Sequence, residues 1–135
     1  MLQPYLLFNG NGAEALQFYQ TCFEGAQIAL QRFSDFPGTT ADAHQDRLMH
    51  GEVFTDDMVI MGSDGLPGME AVVGNNVVMN LYYTDLERQA DVFQKLSAGG
   101  KAHFPLQVTD WGIQLGICTD RFGVTWMTQC PLPKA

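Results

Sequence analysis

The residues of this sequence best suited to chemistry are His50 and Glu52, which lie two positions apart. Residues 47–55 are predicted to form a strand, and residues two apart on a strand point to the same face of a sheet. On a face that lines a cavity, His50 would act as a base near neutral pH, and Glu52 would orient it or hold a cation. On an outer face or at a dimer interface, the same pair would be hydrogen-bonded and inert. The sequence leaves both interpretations open.

The remaining histidines and the cysteines give little sign of a metal site. His44 falls in a loop rich in aspartate and is expected to be solvated, and His103 is expected at the surface. The histidines show no His-x-x-x-His or Glu-x-x-His spacing, so zinc is not indicated. Cys22, Cys118 and Cys130 are widely spaced and form no Cys-x-x-Cys pair. They are predicted to be buried free thiols rather than a disulfide framework.

Aromatic and methionine side chains form a second group that could build a site. They would either fill a core or a dimer interface, or line an apolar ligand pocket. The members considered are Tyr5, Phe54, Tyr82, Tyr83, Trp111 and Trp126, with Met49, Met58, Met61, Met79 and Met127.

Composition bounds the class of protein. A chain of 135 residues is the usual size of a single domain. With 7 basic against 15 acidic residues, the net charge is −8. That balance argues against nucleic acid and against an anionic membrane surface as partners. The sequence shows neither a signal peptide nor a long apolar run, so a cytoplasmic location is expected.

The segment Gly10-Asn11-Gly12-Ala13-Glu14-Ala15 imitates a dinucleotide-binding fingerprint. It follows a predicted strand and opens a predicted helix, and Asp35 stands where a ribose-binding acid would be. A dinucleotide-binding sheet, however, needs further parallel strands with helices between them. The next elements here are strands joined by short turns, so we expect the glycines to serve a turn.

The predicted elements repeat. Helices are expected at residues 13–24 and 86–98, and strands at 2–8, 26–33, 47–55, 58–63, 77–83, 101–107, 111–119 and 124–129. They align as βαβββ twice, with module 1 at about 1–64, a linker at about 65–76 and module 2 at about 77–130. An offset of 74 pairs Tyr19 with Phe93 and Tyr5 with Met79.

Such modules cannot bury both sheet faces alone. The fold class predicted is therefore α+β, with paired modules that form a curved mixed sheet, helices outside and a cavity inside. An offset of 64 sets Gln114 and Gly116 opposite His50 and Glu52, which leaves the polar pair without a counterpart in the second half.

Several segments together resemble a known family. They are Tyr5 to Asn11, Glu14 to Tyr19, Met49 to Glu52, Trp111-Gly112 and Asp120 to Met127. The chain resembles PhnB-like proteins, whose domain is often named for demethylubiquinone methyltransferase. These belong to the vicinal oxygen chelate superfamily, with glyoxalase I, bleomycin-resistance proteins and extradiol dioxygenases. The resemblance implies paired βαβββ modules and a homodimer.

In metal-binding members of that superfamily, each module gives one ligand from its first strand and one from its last. The resemblance places Tyr5 at the first position, Met61 near the second and Met127 at the fourth. Met79 takes the third, or Asn80 if the strand slips by one residue. Thioether, phenol and amide groups do not make a site for a hard cation. No metal or other cofactor is therefore expected.

The resemblance and the residues together leave three hypotheses for function. The first is a metal-independent protein that binds a small organic ligand in a pocket formed by Tyr5, Met61, Met79, Trp111, Trp126 and Met127. The second is a glyoxalase-like lyase or isomerase with His50 and Glu52 as catalytic residues, or an enzyme that depends on a divalent metal. The third is a scaffold without a ligand. A methyltransferase is not expected, because one helix per module cannot build the layered sheet that binds S-adenosylmethionine.

Overall fold

The computed structural model of the chain describes residues 1–36, 38 and 44–134, and these form two compact units. Unit 1 spans Met1–Val72 and unit 2 spans Val73–Ala135. Unit 1 contains β1 (Tyr5–Leu7), α1 (Gly12–Cys22), β2 (Gln27–Arg32), a 3-10 turn (Phe33–Asp35), β3 (Leu48–Thr55) and β4 (Met58–Ser63). Unit 2 contains β5 (Met79–Tyr82), α2 (Leu86–Ser97), β6 (Lys101–Val108), β7 (Ile113–Thr119) and β8 (Thr125–Pro131).

Each unit folds as a βαβββ module around its own four-stranded sheet. The strand order is β1-β4-β3-β2 in unit 1 and β5-β8-β7-β6 in unit 2. In both sheets the first strand runs parallel to the last, and the other neighbours are antiparallel. The predicted α+β class with two βαβββ modules is confirmed.

One helix covers one face of each sheet. In α1, Leu16, Tyr19 and Cys22 have no exposed surface, as expected for the apolar side of an amphipathic helix. Gly51 in β3 lets α1 approach closely, because a Cβ atom there would lie 2.5 Å from Leu16 Cδ1. Gly116 has the same role in β7, where a Cβ would lie 2.8 Å from Phe93 Cε2.

The helix-covered face fixes which side chains lie on the opposite face, because side chains alternate along a strand. In unit 1, Gly51, Val53 and Ile60 are buried on the helix side. The opposite face, here called the open face, carries Tyr5, Leu7, Gln27, Ala29, Gln31, His50, Glu52, Phe54, Val59 and Met61. In unit 2, the open face includes Asn80, Tyr82, Leu115, Ile117, Met127 and Gln129.

Several local predictions can be compared with the structure. The prediction of a solvated His44 is wrong: it is only 9% exposed, its Nε2 lies 3.0 Å from the Gly65 carbonyl oxygen, and its ring packs edge-on against Phe33. The predicted loop around it continues through residues 37 and 39–43, which lie outside the described residues. His103 is exposed as predicted.

The three cysteines are buried and free, as predicted. β6 is an edge strand, which explains how it accommodates Pro105. Among the described residues, neither helix is long and apolar enough to cross a bilayer.

Candidate functional site

Three polar side chains form a hydrogen-bonded chain on the open face of unit 1. Tyr5 Oη lies 2.9 Å from His50 Nδ1, and His50 Nε2 lies 3.1 Å from Glu52 Oε1. The tyrosine and imidazole rings are also in contact, with centroids 5.5 Å apart. Both ring nitrogens of His50 therefore have a partner, one on each side.

The strand register explains why these residues meet. Tyr5 in β1 pairs with Met61 in β4, and Met61 pairs in turn with Glu52 in β3. The three residues form a row across the sheet on one face. His50 lies two positions before Glu52 on the same face, so its ring bridges from Glu52 over β4 to Tyr5.

The three hydrogen-bonded side chains are accessible to solvent but not fully exposed. Tyr5 is 46% exposed, and the side chains of His50 and Glu52 are 32% and 39% exposed. Met61 is half-buried in the middle of the row, and Leu7 beside Tyr5 is exposed. A molecule resting on this face would meet a hydroxyl group and apolar surface together.

The corresponding positions of unit 2 carry no titratable group. Gln129 Nε2 donates to Asn80 Oδ1 at 2.9 Å and lies 3.3 Å from Met127 Sδ. The register sets Met127 beside Ile117, just as Met61 is set beside Glu52. His50 and Glu52 thus correspond to Leu115 and Ile117, and the offset of 64 that pointed to Gln114 and Gly116 is wrong by one. The polar pair still has no polar counterpart.

Asn80, rather than Met79, occupies the third of the four positions at which the resemblance expects a metal ligand. Asn80 pairs with Met127 on the open face, whereas Met79 pairs with Trp126 on the face that α2 covers. Helix α1 begins five residues after the end of β1, and α2 begins four residues after the end of β5. This shorter turn shifts the strand by one residue relative to the helix.

The two tryptophans lie away from the open faces. Trp126 is 1% exposed, and its Nε1 donates to Asp120 Oδ2 at 2.8 Å, so it is part of the unit 2 core. Trp111 is 67% exposed in the turn before β7. Of the six residues predicted for the pocket, Tyr5 and Met61 share the open face of unit 1, and Met127 lies on that of unit 2. Met79 and Trp126 face the helix because of strand parity.

Comparison with known proteins places the chain in a family. A model of the 3-demethylubiquinone-9 3-methyltransferase family matches residues 1–129. The chain belongs to this family. It is 29% identical over 137 residues to the protein YjdN of Escherichia coli K12, covering 93% of this chain and 92% of that protein.

Solved structures agree with that assignment. The crystal structure of protein PA1353 from Pseudomonas aeruginosa is 33% identical, with a TM-score of 0.87 over 98% of this chain and 100% of that one. A glyoxalase/bleomycin resistance protein/dioxygenase family enzyme from Burkholderia phytofirmans PsJN shares the fold at 14% identity, with a TM-score of 0.64 over 95% and 97% of the two chains. The resemblance to PhnB-like proteins and the fold of the wider superfamily are confirmed.

The turn at Gly10 and Gly12, whose sequence imitates a dinucleotide-binding fingerprint, is hydrogen-bonded within the chain. The backbone N–H groups of Gly10 and Gly12 both donate to Asp64 Oδ1 at 2.9 Å. Asp64 is 1% exposed, and its Oδ2 accepts from Leu48 N at 2.8 Å. The amides that would hold a phosphate at a helix N-terminus are therefore bound to the chain's own carboxylate.

The resemblance to the superfamily expects metal ligands at four positions of the two modules. They hold Tyr5 and Met61 in unit 1 and Asn80 and Met127 in unit 2. A thioether is a soft ligand, and a neutral phenol or amide is a weak one, whereas divalent ions in such sites prefer carboxylate and imidazole. Within the described residues, no three His, Cys, Asp or Glu side chains cluster as a metal site would require.

A concave region lies in unit 2, at the start of α2. Its volume is about 520 Å³, and it is lined by Thr84, Asp85, Leu86, Glu87, Pro131, Leu132 and Pro133. None of the residues predicted from sequence lines it. Cys130 lies next to it in the chain, but burial raises the pKa of the Cys130 thiol, and the negative charge of Asp85 raises it further. A thiol with a raised pKa is a poor nucleophile at neutral pH.

Sequence reasoning singled out Tyr5, His50 and Glu52 but did not predict that Tyr5 and His50 touch. They are 45 residues apart, and β4 lies between their strands. The parallel pairing of β1 with β4 brings them together, and no local pattern indicates that pairing. Gln129 was missed because an amide in a strand gives no chemical signal until its neighbours are known.

Proposed function

We propose that this protein binds a small organic molecule on the open face of unit 1, at Tyr5, and that it does so without a resident metal ion. The observation that carries this proposal is the half-exposed chain of Tyr5, His50 and Glu52 beside apolar Met61 and Leu7. Binding sites for small molecules commonly combine a mainly apolar surface with a few placed polar groups. The donor set at the superfamily's metal positions supports metal independence.

A ligand screen with a single-atom variant tests this proposal. Small aromatic compounds and polar metabolites would be screened by thermal shift against the wild type, Tyr5→Phe and Tyr82→Phe. A ligand at about 100 times its Kd adds ~2.7 kcal/mol to the stability of the folded state. We expect hits whose shift is reduced in Tyr5→Phe, which removes only the hydroxyl group.

Tyr82→Phe is the matched control, because Tyr82 is an exposed tyrosine on the open face of unit 2. It should respond like the wild type. A screen without any hit would contradict the proposal. So would hits that respond equally in all three proteins.

A second candidate function is acid–base catalysis of the lyase or isomerase kind. The specific observation in its favour is that Tyr5, His50 and Glu52 are connected by hydrogen bonds, so a proton can pass from Tyr5 to His50 while Glu52 stabilises the charge. In the isomerisation of an α-hydroxy carbonyl compound, the proton taken from the hydroxyl-bearing carbon returns to the former carbonyl carbon, the hydroxyl proton moves to the former carbonyl oxygen, and no other reactant is needed.

Hydrogen exchange on a simple ketone tests the catalytic candidate. Hydroxyacetone in deuterium oxide would be followed by NMR for loss of its C–H signals. If the hydrogen-bonded Tyr5, His50 and Glu52 act as a base, exchange should be about 100-fold faster with the wild type than with His50→Gln. Equal rates for the two proteins would exclude Tyr5 assisted by His50 as the base for this class of substrate.

We also propose that the protein is a homodimer in the cytoplasm. The segment that connects β4 to β5 along the chain exposes several large apolar side chains, namely Leu66, Met69, Val72, Val73 and Val77. A second copy of the protein would cover them. Free cysteines suit a reducing compartment. Analytical ultracentrifugation should give twice the chain mass of 14.9 kDa. A single species at the chain mass across all concentrations would contradict the dimer.

A further inference from the structure

The order of hydrogen-bonding groups in the chain on unit 1 determines what Tyr5 offers to a ligand. We infer that Glu52 fixes the tautomer of His50 and thereby sets the direction of the Tyr5 hydroxyl group. The hydroxyl oxygen accepts from a ligand while His50 is neutral, and the hydroxyl hydrogen donates to a ligand once His50 is protonated. This inference rests on the proposed function, because it assigns a ligand class to the same site.

The first step concerns neutral His50. An ionised carboxylate only accepts hydrogen bonds, so Glu52 Oε1, 3.1 Å from His50 Nε2, requires a proton on Nε2. A neutral imidazole carries one proton, so Nδ1 has a lone pair. The group 2.9 Å from Nδ1 is the Tyr5 hydroxyl, which must then donate to it. The Tyr5 oxygen keeps its lone pairs for a ligand.

The second step concerns protonated His50. Both ring nitrogens then donate, Nε2 to Glu52 and Nδ1 to the Tyr5 oxygen. The Tyr5 hydrogen can no longer point at Nδ1 and turns toward the open face. The new positive charge on His50 also compensates the negative charge of Glu52.

Only Tyr5, His50 and Glu52 take part in this change of hydrogen bonding. The register places Gln31 opposite His50, and Ala29 and Met61 opposite Glu52, and none of these titrates. Helix α1 packs on the other face of the sheet, behind Gly51. Among the described residues, the groups shown in contact with His50 are Tyr5 and Glu52.

The ligand class follows from the two states. With neutral His50, the site favours an alcohol or amine that donates to Tyr5, and the charge of Glu52 disfavours an anion. With protonated His50, it favours a carboxylate that accepts from Tyr5. The preference therefore inverts when His50 gains a proton.

Nitrogen NMR of the His50 ring tests the tautomer without any ligand. Protonated and unprotonated ring nitrogens differ strongly in ¹⁵N chemical shift. In the wild type with a neutral His50, we expect the proton on Nε2. In Glu52→Gln, the side-chain amide can donate to Nε2 as well as accept from it, so the population of the tautomer with its proton on Nδ1 should rise.

Asp57→Asn is the matched control. Asp57 is an exposed carboxylate in the turn after β3, and its Oδ1 accepts from Thr55, so this variant should keep the wild-type tautomer. A wild-type proton on Nδ1 would overturn the inference. An unchanged tautomer in Glu52→Gln would overturn it as well.

Two probe ligands test the ligand class. Benzoate and benzyl alcohol would be titrated at about pH 5.5 and about pH 8.5, with the ring signal of Tyr5 as the readout. Benzoate should bind about tenfold more tightly at the lower pH, as expected for one charge-assisted hydrogen bond. Benzyl alcohol should show the opposite preference.

His50→Gln removes the titrating group and should abolish both pH dependences, which separates this effect from the overall charge of the protein. If His50→Gln retains the wild-type dependence, or if neither probe perturbs Tyr5, the ligand class is wrong. A failed general screen would instead contradict the proposed function and leave the tautomer result unaffected.

Discussion

Asp64 holds several segments of unit 1 together through its side chain. Its two carboxylate oxygens accept three backbone hydrogen bonds, from the turn before α1 and from the start of β3. The side chain is almost fully buried. It therefore joins three segments of the chain, and the two most distant of them are more than 50 residues apart in the sequence.

Replacing Asp64 by alanine should be severely destabilising. Two buried N–H groups and one part-buried N–H group would lose their partner, and each unsatisfied buried group costs about 1–3 kcal/mol. We expect the free energy of unfolding in urea to fall by roughly 3–5 kcal/mol. Asp56→Ala, at an exposed turn position, is the control and should change it by less than ~0.5 kcal/mol. Similar values for both variants would show that Asp64 has no special role.

Cys130 gives a prediction about pH. Its thiol pKa is raised above the ordinary 9.0 by burial and by Asp85. The unfolded chain therefore loses the Cys130 proton at a lower pH than the folded one. This contribution to stability is complete below the unfolded pKa and is lost as the pH rises through it toward the folded pKa.

Stability measured in urea should accordingly decline above about pH 9, and the decline should be shallower in Cys130→Ala. The comparison uses the slope with pH, so a constant loss of packing in the variant does not affect it. Parallel profiles for the two proteins would contradict this assignment.

At the residue scale, the sequence identified much of the site but could not assign faces. Alternation shows that His50 and Glu52 share a face, but only the packing of α1 against Gly51 decides which face it is. Trp126 illustrates the same limit. A tryptophan in a strand suits a pocket or a core equally well, and its hydrogen bond to Asp120 in the core depends on a turn geometry that spacing alone does not define.

At the scale of elements, each helix packs onto a sheet position without a side chain. Gly51→Ala and Gly116→Ala should each destabilise the protein by about 1–3 kcal/mol, because the added methyl group would overlap Leu16 or the Phe93 ring. Thermal or urea unfolding measures this. Gly74→Ala is the control, since its Cβ would make an ordinary contact. A loss at Gly74 equal to the other two would refute the packing argument.

The two helices also differ in how they begin. Asp85 caps α2 by accepting from Glu87 N and Arg88 N, whereas Asn11 makes no side-chain cap on α1. Asp85→Ala should therefore cost about 1 kcal/mol and Asn11→Ala less than ~0.5 kcal/mol. Equilibrium unfolding of the two variants provides the comparison. Equal losses would mean that the Asp85 cap contributes nothing.

Element positions were predictable where periodicity and turn residues agree. β4 has its predicted bounds, and α2 ends one residue earlier than expected. β1 is only three residues long, against the seven predicted, because its pairing with β4 covers only Tyr5–Leu7. A parallel strand depends on its partner, so its extent is not encoded locally.

At the scale of the whole molecule, the repeat of βαβββ modules was the most reliable sequence signal, because two similar patterns support each other.

Metal content depends on the donor groups at a site, so the family's fold alone says little about it. Protein purified without added metal should contain well below one divalent ion per chain by elemental analysis, because the donors at the superfamily positions are soft or weak. A stoichiometric ion that is lost in Tyr5→Phe or Met61→Leu would contradict this.

The shorter turn between β5 and α2 has a consequence for how such proteins diversify. A strand that slides by one residue exchanges every side chain between its two faces. If one residue were deleted from that turn while α2 and the rest of the turn stayed in place, Met79 would replace Asn80 on the open face. An insertion or deletion in a surface loop can thus change the chemistry of a binding face without any substitution in the strand. Loop length is therefore a route by which one scaffold can acquire new specificities.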